Sequence, residues 1–159
     1  MSIKSAVATA IDKLWHPFGK GALTVDGNQY STEVTGITNT AYVNIETVTI
    51  IKPAGATLEE IEFGLTGAVK SSSTAKTVLW KFQGSDDSIT WVDLCAAQTR
   101  SADASVYADV TISGRFTPVA GFLGNGASFQ LRMVVEAGDP AETSSAKTKN
   151  SSYVLIRYR

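Results

Sequence analysis

Residues 80–94 read WKFQGSDDSITWVDL, and this stretch carries the strongest structural signal in the chain. Trp80 and Phe82 stand two positions apart, which is the spacing of side chains on one face of a strand. Residues 84–88 combine glycine, serine and aspartate, which is typical of a tight turn. Residues 89–94 are mostly apolar and lead back from that turn. The stretch therefore predicts an antiparallel hairpin.

Similar rows of apolar and β-branched residues lie on both sides of this hairpin. They predict strands over residues 42–52, 58–69, 78–82, 89–94, 106–112, 129–135 and 153–159. Polar or glycine-rich tracts predict loops and bends over residues 71–74, 101–105, 121–126 and 138–151. Residues 30–40 fit either a short strand or an extended arm. About seven or eight strands with few helical patterns predict an all-β, antiparallel β-sandwich of jelly-roll type.

Five large side chains are predicted to form the core, because they lie on the apolar sides of these strands. They are Phe63, Trp80, Phe82, Leu131 and Met133. Cys95 is the one cysteine of the chain, so it has no partner for an internal disulfide. We expect it to act as a small core residue. A chain of 159 residues is long enough to bury a core without disulfides or metals.

The composition favours strands and excludes several classes of function. The chain has 18 Thr, 16 Ser and 13 Gly, and only 18% of its residues are charged. Its 14 basic residues are spread out and its net charge is −1. Because nucleic-acid binding needs a basic stripe, we expect no nucleic-acid partner. Since there is no run of 18 apolar residues, we also expect no membrane span.

The first 40 residues are predicted to form a helix and an extended arm, and residues 41–159 the sandwich. Residues 2–14 have apolar positions at helical spacing, and Pro17 stops a longer helix. Trp15, Phe18 and Tyr30 are candidate interface anchors, since interfaces favour large aromatic residues. His16 is expected beside them at the surface or interface. Alternatively, these aromatic residues cap one end of their own sandwich.

Residues 6–10, AVATA, resemble a signal-peptidase site. A secretory signal needs an apolar stretch before that site, and only Ile3 and Val7 provide apolar bulk there. We therefore expect no secretory signal and synthesis in a cytoplasm.

The sequence offers little for catalysis or for cofactor and metal binding. His16 is the one histidine, which excludes the usual zinc sites with several histidines, and no G-x-S-x-G turn is present. Glu60 and Glu62 share one face of a predicted strand, which indicates a solvated or interface face. Asp86 and Asp87 supply too few oxygens for Ca²⁺. We predict a non-enzymatic protein with no cofactor and no metal.

The hairpin sequence resembles that of discoidin-like, galactose-binding-like β-sandwiches, and similar hairpins occur in structural proteins of tailed bacteriophages. The likeness is close over residues 80–94 and loose over the later strands. Ser85 and Asp86 are expected to bond backbone N–H groups in the turn, and Asp87 is expected to help form it, standing with Ser88 where this group usually has a glycine. Trp91 is expected to lie across the hairpin and stabilise it. Several members of this group bind carbohydrate or Ca²⁺ through loops.

The resemblance implies a virion structural protein of a tailed phage, with a capsid decoration (cement) protein as the leading hypothesis. Such a protein is made in the host cytoplasm, forms a homo-oligomer, for which we expect a trimer, and binds the major capsid protein or other virion subunits. The N-terminal arm would then add to a neighbour's sheet edge. The alternative hypothesis is a carbohydrate-binding module of a phage tail or fibre, with Trp80 and Trp91 as candidate sugar-stacking residues.

Overall fold

The computed structural model describes residues 33–104, 106–119, 121–148 and 152–159, together with the backbone of residues 11–18, 22–23 and 29–30. All regular elements in these ranges are strands, and they pair antiparallel. The strands are β1 (Ile11–Phe18), β2 (Ala22–Leu23), β3 (Gln29–Tyr30), β4 (Val34–Ile37), β5 (Val43–Ile51), β6 (Leu58–Ser71), β7 (Lys76–Ser85), β8 (Val92–Asp93), β9 (Gln98–Ala102), β10 (Ala108–Phe116), β11 (Ser128–Ala137), β12 (Ser144–Thr148) and β13 (Ser152–Tyr158).

The larger sheet has six strands and is organised around β6. β10 pairs with β6 along one side, from Ile61 to Val69. Along the other side, β13 pairs with the first half of β6 and β12 with the second half. Ser152 lies where these two strands follow one another: its hydroxyl accepts the Thr66 amide and donates to the Thr66 carbonyl, each at 2.8 Å. β1 adds outside β13, and β4 outside β12.

The smaller sheet has five strands in the order β5, β11 and β7, with β8 and β9 both pairing with β7. β2 and β3 form a separate two-stranded pair. The two main sheets share one core, because alternate residues of their strands are buried between them. The sequence-based prediction of an all-β antiparallel sandwich is confirmed.

The core contains all five side chains predicted for it, each no more than 1% exposed. The rings of Phe63 and Phe82 pack across the two sheets with centroids 5.0 Å apart. Gly67 leaves room for Trp80, since a Cβ there would overlap the Trp80 ring. Cys95 is half-buried and packs against the same cluster.

The predicted helix over residues 2–14 is wrong for Ile11 to Leu14, which begin β1. Residues 2–10 lie outside the described residues. Strand pairing explains the difference, because a short isolated helix is marginal in water, whereas β1 gains backbone hydrogen bonds along β13. β1 and β4 both belong to the six-stranded sheet although they precede residue 41.

Two strands lie where loops were predicted. β9 includes Ser101 and Ala102 and pairs with the start of β7. β12 lies within the predicted loop over residues 138–151 and is flanked by β6 and β4. Its inward residues, Ser144, Ala146 and Thr148, are small and buried. Small or polar inward residues leave no hydrophobic alternation, so neither strand had a visible signal.

Candidate docking surface

One end of the sandwich is formed by the loops around the predicted hairpin. We call it the loop end and define it as Ile51 with residues 52–57, 86–91, 117–119 and 121–127, and Arg159. These segments follow or precede β5, β7, β10, β11 and β13 at the same end of both sheets. The opposite end is defined as residues 72–75, 103–104, 106–107 and 138–143.

The turn after β7 is organised by Ser85 and Asp87. The Ser85 hydroxyl accepts the Ser88 amide at 2.9 Å and donates to the Asp87 carboxylate at 2.9 Å. That carboxylate also accepts the backbone amides of Thr90 at 2.7 Å and Ile89 at 2.8 Å. These bonds, with the Thr90 and Ile89 amides as the main causes, hold the pKa of Asp87 well below its ordinary value. The carboxylate stays ionised and fixes the turn.

Asp86 joins this turn to the glycine-rich bend at residues 121–126. Its carboxylate accepts the Gly124 amide at 2.7 Å, and the backbone and side-chain N–H groups of Asn125 at 3.0 and 2.8 Å. Lys52 donates to the Gly124 carbonyl at 2.8 Å. Gly124 has a φ of +80°, a left-handed conformation that favours glycine. The loops of this end are therefore tied to one another.

This braced end displays large apolar side chains to solvent. In the described part of the chain, five such residues are well exposed, and four of them belong to the loop end: Ile51 (79%), Ile89 (84%), Val119 (65%) and Phe122 (59%). The fifth, Val106, lies at the opposite end. Clustered exposed apolar residues with a polar surround mark interaction sites. These exposed residues were not predicted from the sequence, although isoleucine and phenylalanine inside turn tracts are a visible signal.

A groove of about 570 Å³ crosses this end between the start of β6 and the segment after β10. Two ion pairs lie along it, Glu59 with Arg159 at 3.4 Å and Glu60 with Arg157 at 3.6 Å. Val119 is part of its apolar lining. Because the acidic and basic groups are matched, the groove has no strong net charge.

A smaller hollow of about 310 Å³ lies beside the hairpin turn. Phe122 and Gly121 form one wall, and Asp86, Asp87 and Thr90 another. Gly121 lines both hollows, so the bend lies between them.

Trp91 stacks on the outer face of the five-stranded sheet. The Arg132 guanidinium lies 3.7 Å from the centroid of its ring, and Arg132 also donates to Gln83 at 2.9 Å. Gln83 in turn donates to Asp93 at 2.7 Å. Trp91 thus contacts a residue of β11, and this stacking contact extends beyond the hairpin.

The N-terminal interface candidates lie on strands of the chain itself. Trp15, His16 and Phe18 belong to β1, opposite Leu155, Val154 and Ser152 of β13. Tyr30 belongs to β3, opposite Ala22. Their side chains fall outside the described part of the structure. Their role at an interface stays a prediction.

Within the described ranges, no three His, Cys, Asp or Glu side chains come together as a metal site requires. Burial raises the pKa of the Cys95 thiol, which makes it a poor nucleophile. Glu62 forms an ion pair with Arg115 at 3.1 Å. No helix in the described ranges is long and apolar enough to cross a bilayer.

Comparison with known proteins identifies a shared fold but no family. No protein-family model and no curated protein sequence matches the chain. Among solved structures, a chain of infectious bursal disease virus, Gt strain, is 8% identical with a TM-score of 0.52, over 94% of this chain and 38% of that one. This chain therefore spans about four-tenths of the viral chain. The likeness shows a shared fold.

Two carbohydrate-binding modules are also similar at lower scores. One is a structure described as CBM4, 14% identical, with a TM-score of 0.41 over 91% of this chain and 77% of that one. The other is a xylan-binding domain from Paenibacillus barcinonensis, 18% identical, with a TM-score of 0.36 over 95% and 97%.

Proposed function

We propose that this chain is a virion structural protein, a capsid decoration (cement) protein that binds neighbouring capsid subunits through its loop end. The fold shared with a chain of a virus particle supports the class of protein. The exposure of Ile51, Ile89, Val119 and Phe122 at one end of the sandwich, beside loops that are held by hydrogen bonds, is the observation that carries the proposal.

Preorganised loops suit docking, because little conformational entropy is lost when a rigid surface binds. The turn carrying Ile89 is held by Asp87, and the bend carrying Phe122 is held by Asp86. Phe122 further donates its amide to the Val119 carbonyl at 3.0 Å. Burial of these apolar side chains against a subunit would supply the affinity.

The charges of the loop end point to the same mode of binding. Its groove contains matched ion pairs, and the chain has a net charge of −1. Attachment driven by apolar burial depends weakly on salt, whereas attachment by long-range charge weakens steeply as salt rises. We expect docking to persist at high ionic strength.

The test begins with quantitative mass spectrometry of purified virus particles, which should find the chain in many copies per particle. Particles stripped of the protein are incubated with purified chain, and bound protein is measured by co-sedimentation. Phe122→Asp with Ile89→Asp is expected to weaken rebinding at least about tenfold, because two charges would be buried. Val106→Asp, a matched change at the opposite end, should rebind like the unaltered chain.

Two outcomes would overturn the proposal. One is a particle census in which the chain is absent or present only in traces. The other is equal rebinding of the double variant and the unaltered chain. Circular dichroism of each variant verifies that the fold is intact.

A carbohydrate-binding module of a phage tail or fibre is the second candidate function. Trp80 is buried and cannot stack on a sugar, and Trp91 is already stacked against Arg132. Tyr153 favours the candidate, since its ring lies over Gly64 on the outer face of the six-stranded sheet. Binding on a glycan array that is lost in Tyr153→Ala, with particle rebinding absent, would favour this function.

A further inference from the structure

β10 is an edge strand of the six-stranded sheet. It pairs with β6 over its whole length, from Ala108 to Phe116, and no strand of the described ranges pairs with its other side. We call that side the outer edge of β10. An edge of nine residues can accept another strand through main-chain hydrogen bonds.

The structure shows which backbone groups face the outer edge. The Thr66 amide and carbonyl both bond to Ser152, so they point away from β10. Thr111 lies opposite Thr66 and is therefore in a pair without mutual hydrogen bonds. Its own amide and carbonyl face the outer edge, and with a period of two so do those of Asp109, Ser113 and Arg115.

These four residues also have exposed side chains, whose charges are arranged symmetrically. Asp109 and Arg115 carry opposite charges three positions to either side of Ile112, and Thr111 and Ser113 flank Ile112 directly. We propose that a second copy of this chain pairs antiparallel with β10 about a two-fold axis at Ile112. Asp109 then lies opposite Arg115 of the second copy, twice.

Hydrogen-bond geometry and charge select this register together. In some registers, the odd-numbered residues of one copy would pair with even-numbered residues of the other. Backbone groups that face the shared edge would then lie opposite groups that face inward. A register centred on Thr111 or Ser113 keeps the bonds but moves both charges out of alignment. Only the axis at Ile112 pairs the odd-numbered residues with each other and also matches the two charges.

The β5 edge of the other main sheet offers no such arrangement. β5 pairs with β11 alone among the described strands, but its pairing contains a register shift between Met133 and Val134. Glu46 is the one charged residue of β5, so no two-fold register can set opposite charges across it. Bulges and the lack of a complementary charge are devices that keep an edge from pairing.

This inference is independent of the proposed function, since it rests on the edge of β10 and not on the exposed apolar residues of the loop end. A two-fold contact uses the same patch on both copies and closes as a dimer. It therefore differs from the trimer expected from the sequence, which would need two different patches on each copy.

Cysteine pairs test the register directly in a Cys95→Ala background, in which the native thiol is absent. T111C and S113C are purified separately and oxidised alone or mixed. Because position 111 faces position 113 of the second copy, the mixture should form a disulfide-linked dimer and each variant alone should form far less. Equal cross-linking of the single variants and the mixture would overturn the register.

Charge reversal tests the recognition. Sedimentation of D109R alone, or of R115D alone, should show dimerisation weakened about tenfold, because like charges face each other at both pairs. Mixing the two variants should restore the dimer, since every pair is again opposite in charge. S113P, which removes one edge-facing N–H, should be monomeric with an unchanged circular dichroism spectrum. A monomeric unaltered chain, or a dimer that none of these changes weakens, would refute the proposal.

Discussion

The two ends of the sandwich are braced in the same way but present different surfaces. At the loop end, the carboxylates of Asp86 and Asp87 accept backbone amides. At the opposite end, Asp139 accepts the Thr77 amide at 2.9 Å, and Asp103 accepts the Ala75 amide at 2.9 Å. Four of the five exposed large apolar residues found in the described ranges belong to the loop end.

Loop rigidity and apolar exposure therefore come from separate residues. Aspartates that bond to backbone amides hold loops in place at both ends, so bracing alone does not identify an interaction site. Exposed apolar side chains distinguish the loop end, because they have a cost in water that only a partner would remove.

Cation–π contacts lie near both ends of the sandwich. Arg132 stacks on Trp91 near the loop end. At the opposite end, Lys147 and Lys70 lie 4.2 and 4.9 Å from the ring centroid of Tyr107. Burial is the main cause that raises the pKa of Tyr107. Both contacts cover aromatic rings that would otherwise be exposed.

The largest stability difference between the ends is expected from their aspartates. Asp86→Ala removes three hydrogen bonds that join two loops, and should lower the free energy of unfolding by about 2 kcal/mol. Asp103→Ala removes the single bond to Ala75, and should lower it by about 1 kcal/mol. Urea denaturation measures both. Equal losses would contradict the stronger bracing of the loop end.

Stacking at Trp91 should contribute less. Trp91→Ala removes the contact with the Arg132 guanidinium, and should lower the free energy of unfolding by about 1 kcal/mol. Trp91→Phe keeps an aromatic face and is expected to recover part of that loss. Thermal unfolding followed by circular dichroism distinguishes these results, and identical midpoints for the two variants would argue against stacking.

Acid should loosen both ends of the sandwich. Hydrogen bonds lower the folded-state pKa of Asp87 and Asp139 below the ordinary value of 3.8. Their stabilisation is therefore complete above about pH 4 and is lost as pH falls through the folded-state pKa. Amide hydrogen exchange at Thr90 and at Thr77 should each accelerate as the pH falls through the folded-state pKa of the aspartate that accepts that amide. Retained protection at both amides in strong acid would contradict this.

The smallest expected effect on stability comes from replacing exposed apolar side chains. Val106→Ser and Phe122→Ser remove exposed apolar side chains at opposite ends, so each should change the free energy of unfolding by less than about 0.5 kcal/mol. Only Phe122→Ser should reduce binding to virus particles. A reduction of the same size in Val106→Ser would remove the distinction between the ends.

The sequence predicted those parts of the molecule in which large apolar residues alternate. Phe63, Trp80 and Leu131 lie on such rows, and their strands and burial follow from that spacing. β12 was not predicted because Ser144, Ala146 and Thr148 are small, and their burial depends on the neighbouring strands β6 and β4. β1 looked helical because its pairing with β13 is a long-range contact that local spacing cannot reveal.

The candidate sites were harder to predict for the same reason. The turn-forming role of serine and aspartate follows from local chemistry. That Asp86 reaches Asn125, and that Thr66 fixes which groups of β10 face outward, depends on residues about 40 and 45 positions apart. No single segment of sequence contains such information.

β6 runs for 14 residues without interruption, which is a span of about 45 Å. It connects the loop end to the opposite end and is laddered to β10 on one side and to β13 and β12 on the other. A force that pulls the two ends apart would act along this strand and load those ladders in shear. Many hydrogen bonds would have to break together, so we expect the domain to resist stretching along the direction of β6.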